Sequence, residues 1–309
     1  MSGKPVKGVF LLAFGGADSI ESVEPFVKNV LKGRIPTPEL IEKARERYRL
    51  IGGKSPLLNI TEAQGKAIAD MLNSDPESRF DYRPFVGMRY WHPFIAETAG
   101  KMMAEGVTEA VAVIMSPILS LVATGAYIED LEAAVGLHGG PAVEMLGSWH
   151  MERPFRDLVA DNIEKELAGI DRKDALIIFS SHSLPAVAVE GDPYEMIVGQ
   201  ASDFVMEKVG KADFKIAFQS KGAGARQWLG PETESVIEEA GKRGKKRVIV
   251  VPIGFAADHV ETLYDIDILF KGLAAEKGLE FRRTPSLNTD PRFIGLLADM
   301  IKKVAEKKQ

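Results

Sequence analysis

The chain of 309 residues contains no cysteine. Disulfides, thiolate-bound zinc and Cys-ligated iron–sulfur clusters are therefore excluded, and the composition fits a cytoplasmic protein. Positive charge is also in short supply: 39 Lys and Arg face 44 Asp and Glu, for a net charge of −5. A nucleic-acid binder normally shows a basic face, so that class is set aside. No apolar run approaches the roughly 20 residues that span a bilayer. Met1–Lys7 leads straight into a strand-like run with no signal-peptide core, which leaves peripheral membrane contact as the only membrane role open. Several catalytic signatures are missing as well. There is no phosphate-binding Walker loop, and Gly222-Ala-Gly224 lacks the third glycine of a dinucleotide fingerprint. HExxH and the G-x-S-x-G nucleophile elbow are absent.

What is present is a regular alternation. Short apolar runs read as strands at Gly8–Phe14, Arg83–Tyr90, Ala110–Met115, Val143–Ser148, Ala175–Phe179, Phe214–Gln219, Val248–Val251 and Leu279–Arg283. They are rich in Val, Ile and Phe without clean alternation, the pattern of strands covered on both faces. Amphipathic helical patterns lie between them at Pro38–Ile51, Thr61–Leu72, His92–Glu105, Arg156–Leu167, Tyr194–Val209 and Pro291–Val304. Strand alternating with helix means right-handed crossovers and parallel sheets. A chain of this length exceeds one ordinary core. The expectation is an α/β protein of two similar Rossmann-like domains, 1–150 and 151–309, each a four-stranded parallel sheet flanked by helices. An active-site cleft is expected between them, and the last helix is free to pack back on the first domain. A faint duplication supports the split. Val111–Ile118 followed by Tyr127-Ile-Glu-Asp130 parallels Val248–Ile253 followed by Tyr264-Asp-Ile-Asp267.

Two segments concentrate chemistry where a buried strand ends, the edge at which open α/β sheets bind ligands. One is Ser180-Ser181-His182-Ser183-Leu184-Pro185 and the other Asp258-His259-Val260-Glu261. An imidazole and a carboxylate brought together suit proton transfer or a borderline divalent metal. Each also has a plainer explanation. His182 can be a loop residue satisfied by its serine neighbours, and Asp258-x-x-Glu261 resembles a capping box. If a helix begins at Asp258, then Asp258, Glu261 and Asp265 share a face. His259 would then point about 160° away from Glu261, so only the carboxylate should enter the site. Lys32, Arg34, Arg45 and Arg47 form a basic cluster that solvated helix faces explain. Trp91, Trp149 and Trp228 read as core or wall residues.

Together the motifs resemble the ferrochelatase family, the porphyrin metal chelatases of haem biosynthesis, almost end to end. The likeness rests on Leu11-Leu-Ala-Phe-Gly-Gly16, Ile51-Gly-Gly-Lys-Ser-Pro-Leu57, Ser181-His182-Ser-Leu-Pro185 and Gly191-Asp-Pro-Tyr194. It continues through Gln219-Ser220, Trp228-Leu-Gly-Pro231 and Gly254-Phe-Ala-Ala-Asp-His-Val-Glu261. The resemblance implies insertion of Fe²⁺ into a porphyrin with release of two protons and no organic cofactor. It implies that His182 and Glu261 are the catalytic and metal-binding pair, facing each other across the macrocycle. Porphyrin contacts are implied for Phe14, Arg47, Tyr48, Ser55 and Tyr127, and a metal or proton relay for Asp265. Partners are then a porphyrin and ferrous iron. Phe14 stands where coproporphyrin-type enzymes of Gram-positive bacteria carry a ligating Tyr. Leu31 stands where they have an Arg, and Leu269 where some relatives have a further carboxylate. Phe14 and Leu31 favour protoporphyrin IX over coproporphyrin III, whereas Leu269 argues against a full outer relay of carboxylates. The alternatives are a coproporphyrin III ferrochelatase, a chelatase for another metal or tetrapyrrole, and a tetrapyrrole carrier without catalysis.

Overall fold

The computed structural model describes residues 4–118, 120–222 and 227–307. Gly224 of the incomplete glycine motif and residues 1–3 lie outside them. Among the described residues, eight strands form two four-stranded sheets in which every pairing is parallel. The first sheet contains β1 (Val6–Ala13), β2 (Asp81–Met88), β3 (Glu109–Ile114) and β4 (Ala142–Met145), in the order β2-β1-β3-β4. The second contains β5 (Ala175–His182), β6 (Phe214–Gln219), β7 (Arg247–Val251) and β8 (Glu280–Arg283), in the order β6-β5-β7-β8. The two orders are the same. In each, the chain steps to one side of its first strand and then returns to the other.

Burial follows position in the sheet. All of β7 is buried, and all of β5 except His182 at its end. The apolar side chains of these central strands are covered from both faces, which is why they read as continuous runs. The edge strands differ from that expectation. In β4 and β8, exposed residues alternate with half-covered ones, whereas the opposite edge strands β2 and β6 are buried over their last residues. β4 and β8 are also shorter than the sequence pattern suggests.

The chain divides into two compact units. One comprises Met1–Met115, Thr124–Gly147 and Asn288–Gln309; the other comprises Ser116–Ala123 and Ser148–Leu287. The chain thus does not split once near residue 150. Two short segments account for the difference. Ser116–Ala123 is held by the second unit, where Asp192 accepts hydrogen bonds from the Ser120 hydroxyl and the Val122 amide. The final helix, Pro291–Ala305, buries Phe293, Ile294, Leu297 and Ile301 and packs against the helix Leu57–Asn73 of the first unit. Its start is set by Asp290, whose carboxylate accepts from the Arg292 amide, and by Pro291 at the first helical position.

The core of the first unit gathers Phe10, Leu12, Ile95, Met102, Val107 and Leu131, and that of the second Ile178, Ile237, Val250, Ile266 and Phe270. Burying a residue of this size stabilises the fold by about 1.5–3 kcal/mol. Among the described residues no helix is long and apolar enough to cross a membrane.

Candidate active site

In the second unit the chain leaves β5 for β6 on one side and later builds β7 on the other. Loops leaving β5 and β7 therefore diverge at the carboxyl edge, the place where open sheets of this kind bind ligands. His182 is the last residue of β5, in register with Gln219 at the end of β6. Glu261 begins the π-helix Glu261–Phe270, which follows β7. Neighbouring strands lie about 4.8 Å apart, so residues at the ends of β5 and β7 are naturally within reach. His182 Nδ1 lies 3.0 Å from Glu261 Oε2. The expectation that the two face each other across a macrocycle is thus wrong. They form one hydrogen-bonded pair on a single sheet edge.

The serines beside His182 do not satisfy its ring. Ser180 donates to Gln219 Oε1 at 2.6 Å, Ser181 meets the Tyr194 hydroxyl at 2.6 Å, and Ser183 donates to the Leu229 carbonyl at 2.9 Å. They lock the strand end instead. Tyr194 adds a hydrogen bond from its hydroxyl to the His182 carbonyl at 2.8 Å. A Cβ at Gly254 would collide with the Ser181 side chain, so this glycine lets the segment after β7 approach β5 closely.

The capping-box reading also fails. The helix begins after Val260, which supplies no side-chain cap. The Asp258 carboxylate accepts from Arg283 at 2.9 Å and from Ser286 at 2.7 Å, so it does not share a face with Glu261. Thr262 takes over the local role, its hydroxyl accepting from the His259 amide. Because His259 precedes the helix, the angular argument that sent it away from Glu261 does not apply. Its Nε2 lies 3.9 Å from Glu261 Oε2, and its ring packs on Phe255 at 4.8 Å between centroids. The sequence reading missed this contact because it assumed regular helix from Asp258 onward.

One turn beyond Glu261, Asp265 is 3 % exposed and its carboxylate accepts from the Ser220 hydroxyl. Leu269, further along the same π-helix, is 42 % exposed. π-helices are rare and concentrate at functional sites.

The electrostatics follow from the packing. Burial alone would raise the Glu261 carboxyl, but the His182 charge and hydrogen bond, with help from His259 and Ser220, hold it down to about 2. Desolvation alone would lower the His182 ring; the Glu261 charge and hydrogen bond outweigh it, and the ring sits above its ordinary value. His259 is pushed down, mainly by desolvation. His182 thus has a fixed partner for Nδ1, while its side chain stays 37 % exposed. Among the described residues no group of three or more ligating side chains is spaced to hold a metal.

The carboxyl edge of the first unit is different. Phe14 follows β1, is 42 % exposed, and packs against Tyr90 at 4.7 Å and Phe26 at 6.4 Å. Tyr48 is buried, and its hydroxyl accepts from the Ala17 amide at 3.0 Å. Ser55 donates its amide to the Ala17 carbonyl at 2.9 Å. Both hold the loop after β1 in place. Arg47, on the helix Pro38–Leu50, is exposed. Tyr127 is buried beneath the Arg89 guanidinium, 5.5 Å from its ring centre, and Arg89 pairs with Asp130 at 2.7 Å. Burial pushes the Tyr127 hydroxyl well up. The structure therefore links Phe14 to Tyr48 through Phe26 and to Tyr127 through Tyr90 and Arg89, with Phe14 the exposed ring and Ser55 fixing the loop beside them. The basic cluster is partly spent on ion pairs, Arg45 bonding Glu24 at 2.9 Å.

A family model described as Ferrochelatase matches residues 6–305. The chain belongs to the ferrochelatase family. Relatives agree along nearly the whole length. A ferrochelatase of Herpetosiphon aurantiacus is 36 % identical, the match covering 95 % of this chain and 97 % of that one. A ferrochelatase of Deinococcus radiodurans is 33 % identical, covering 98 % and 96 %. A coproporphyrin III ferrochelatase of Anoxybacillus flavithermus is 32 % identical, covering 96 % of both. Among solved structures, SirB from Bacillus subtilis with Fe³⁺ superposes with a TM-score of 0.59 at 9 % identity, over 97 % of this chain and 96 % of that one. CbiX, the terminal enzyme of siroheme biosynthesis in denitrifying bacteria, gives 0.57 at 13 % identity, over 98 % and 100 %. These structures share the arrangement of two four-stranded parallel sheets flanked by helices. As a ferrochelatase, the chain is a metal chelatase of porphyrin and haem biosynthesis.

Proposed function

We propose that this chain inserts Fe²⁺ into protoporphyrin IX, with release of two protons, as a cytoplasmic enzyme that needs no organic cofactor. The hydrogen bond between His182 and Glu261 carries the reading. A carboxylate accepting from Nδ1–H fixes the imidazole tautomer and leaves Nε2 with its lone pair. That nitrogen can take a pyrrole proton or contact the incoming iron, while Glu261 stabilises the imidazolium that forms. A carrier needs contacts to its ligand but no such base. The protein's remaining task is to hold the porphyrin bent, so that a nitrogen lone pair leaves the ring plane.

Preference for protoporphyrin IX is supported by Phe14, which offers an exposed aromatic edge to a vinyl-bearing substrate, and by Leu31, which offers no charge to a propionate. Arg47, exposed on its helix, suits one of the carboxylates that remain. The test is anaerobic incubation with Fe²⁺ and each of protoporphyrin IX and coproporphyrin III, following loss of the free-base absorption bands. Higher kcat/KM for protoporphyrin IX is expected. Preference for coproporphyrin III overturns the substrate assignment, preference for another divalent metal overturns the iron assignment, and porphyrin binding without insertion by any metal identifies a carrier.

A further inference from the structure

Among the described residues, Ser220 is one of three non-glycine residues with a left-handed backbone, at φ +60°. An L-residue in this region is uncommon and is kept only where the surroundings over-determine it. Here the conformation turns the chain directly after β6 and delivers the hydroxyl to the Asp265 carboxylate, one turn beyond Glu261. The preceding residue continues the same strut. Gln219 is 1 % exposed, accepts from Ser180 through Oε1 at 2.6 Å, and extends Nε2 to the Ser220 hydroxyl at 3.3 Å and the Glu261 carbonyl at 3.4 Å. Ser180 also meets the Thr233 hydroxyl at 3.0 Å. A chain of hydrogen bonds thus runs from Thr233 through the end of β5 and β6 into the first turn of the π-helix. Buried side-chain carboxylates and their carbonyls need such donors, and the wide turn of a π-helix does not by itself set where Glu261 points.

We infer that Ser220, supported by Gln219, is a positioning residue: its hydroxyl anchors the Asp265 carboxylate while Gln219 holds the Glu261 carbonyl, and together they fix the first turn of the π-helix in the orientation that keeps Glu261 on the His182 ring. This rests on the chelatase reading for its kinetic consequence but not for its geometry. S220G is the informative variant, because glycine adopts the same backbone without strain and only the hydroxyl is lost. S220N is the rescue variant, since asparagine tolerates the left-handed region and restores a donor. In S220G, kcat for metal insertion is expected to fall about tenfold, the consequence of one lost charge-assisted hydrogen bond, with porphyrin KM within about twofold. S220N should recover part of the loss. Independently of activity, the imidazole nitrogen resonances of His182 should shift in S220G while those of His92 and His138 stay. Wild-type kcat together with unmoved His182 resonances overturns the inference. A fall in melting temperature that S220N does not reverse, with His182 resonances unchanged, also overturns it by reducing Ser220 to a structural role. Failure of the wild type to insert any metal counts against the proposed function alone, and the resonances still decide the positioning.

Discussion

At the carboxyl edge of the second sheet, the strand ends present His182, Gln219 and, through the π-helix, Glu261 and Asp265. At the same edge of the first sheet, the strands of matching order lead instead to Phe14, Arg89 and Tyr90, with Tyr48 and Tyr127 beneath. The topology is repeated; the chemistry is not. Each edge lies at the point where the strand order reverses, which is where such sheets hold ligands. One edge presents an imidazole and carboxylates, the other mainly aromatic rings that offer apolar area. A fold determines where a site lies, and the residues placed there determine what it does.

If this division of labour is right, changes at the two edges should separate in kinetics. The largest effect is expected for His182→Ala: kcat for metal insertion should fall by about 10²–10⁴, the range for removing a positioned acid–base group. Porphyrin KM should change little, because the aromatic edge is untouched. Near-normal turnover measured anaerobically would end the assignment. Glu261→Gln should cost less, about 10- to 100-fold, the usual loss when the partner that orients an imidazole is removed. His259→Ala, 3.9 Å from the same carboxylate, should cost less again.

Phe14→Ala sharpens the comparison from the other side. Loss of an exposed ring that packs on Tyr90 removes about 1–2 kcal/mol of apolar contact available to a porphyrin. KM for protoporphyrin should rise about tenfold, with kcat largely kept. A variant that loses kcat instead, at unchanged KM, would mean that the first edge takes part in the chemistry and that the contrast between the sheets is misdrawn.

Much of this arrangement was legible in the residues. Continuous Val/Ile/Phe runs located the central strands within three residues at each end, since burial on both faces leaves little choice of composition. Strand ends followed by Ser-Ser-His and by Asp-His-Val-Glu located the two residues that meet as the His182–Glu261 pair. Three things were not legible. The π-helix was not, because its widened turn has no distinct hydrophobic period, and every inference about which side chains share a face failed with it. That is how His259 was sent the wrong way and Asp258 the wrong partner. The intimacy of the His182–Glu261 pair was hidden because 79 residues separate the two, and only the β5–β7 register joins them. The return of the last helix to the first unit was anticipated as an open option, but its partner, the helix Leu57–Asn73, depends on a long-range match of apolar faces that local sequence does not show.

The smallest expected effect concerns pH and stability. His182 has a raised folded value, so its contribution is fully present below its unfolded pKa near 6.5 and is lost as pH rises through the folded value. Glu261 is held down to about 2 from an ordinary 4.5, so its contribution is present above 4.5 and is lost as pH falls toward about 2. Both contributions coexist only between about pH 4.5 and 6.5. His259, pushed down by desolvation, pulls the other way, favouring the folded state as pH rises through the same window. The Glu261 charge nonetheless eases protonation of both rings, so comparison with Glu261→Gln isolates it. The absolute melting temperature of the variant is uninformative, because removing a buried charge also removes its desolvation cost. Its pH profile is the readout. Wild type minus Glu261→Gln should be most positive in that acidic window and should shrink by a few degrees toward pH 8. A difference that is flat with pH would show that the pair is not charged in the folded protein, and that the carboxylate edge acts through hydrogen bonding alone.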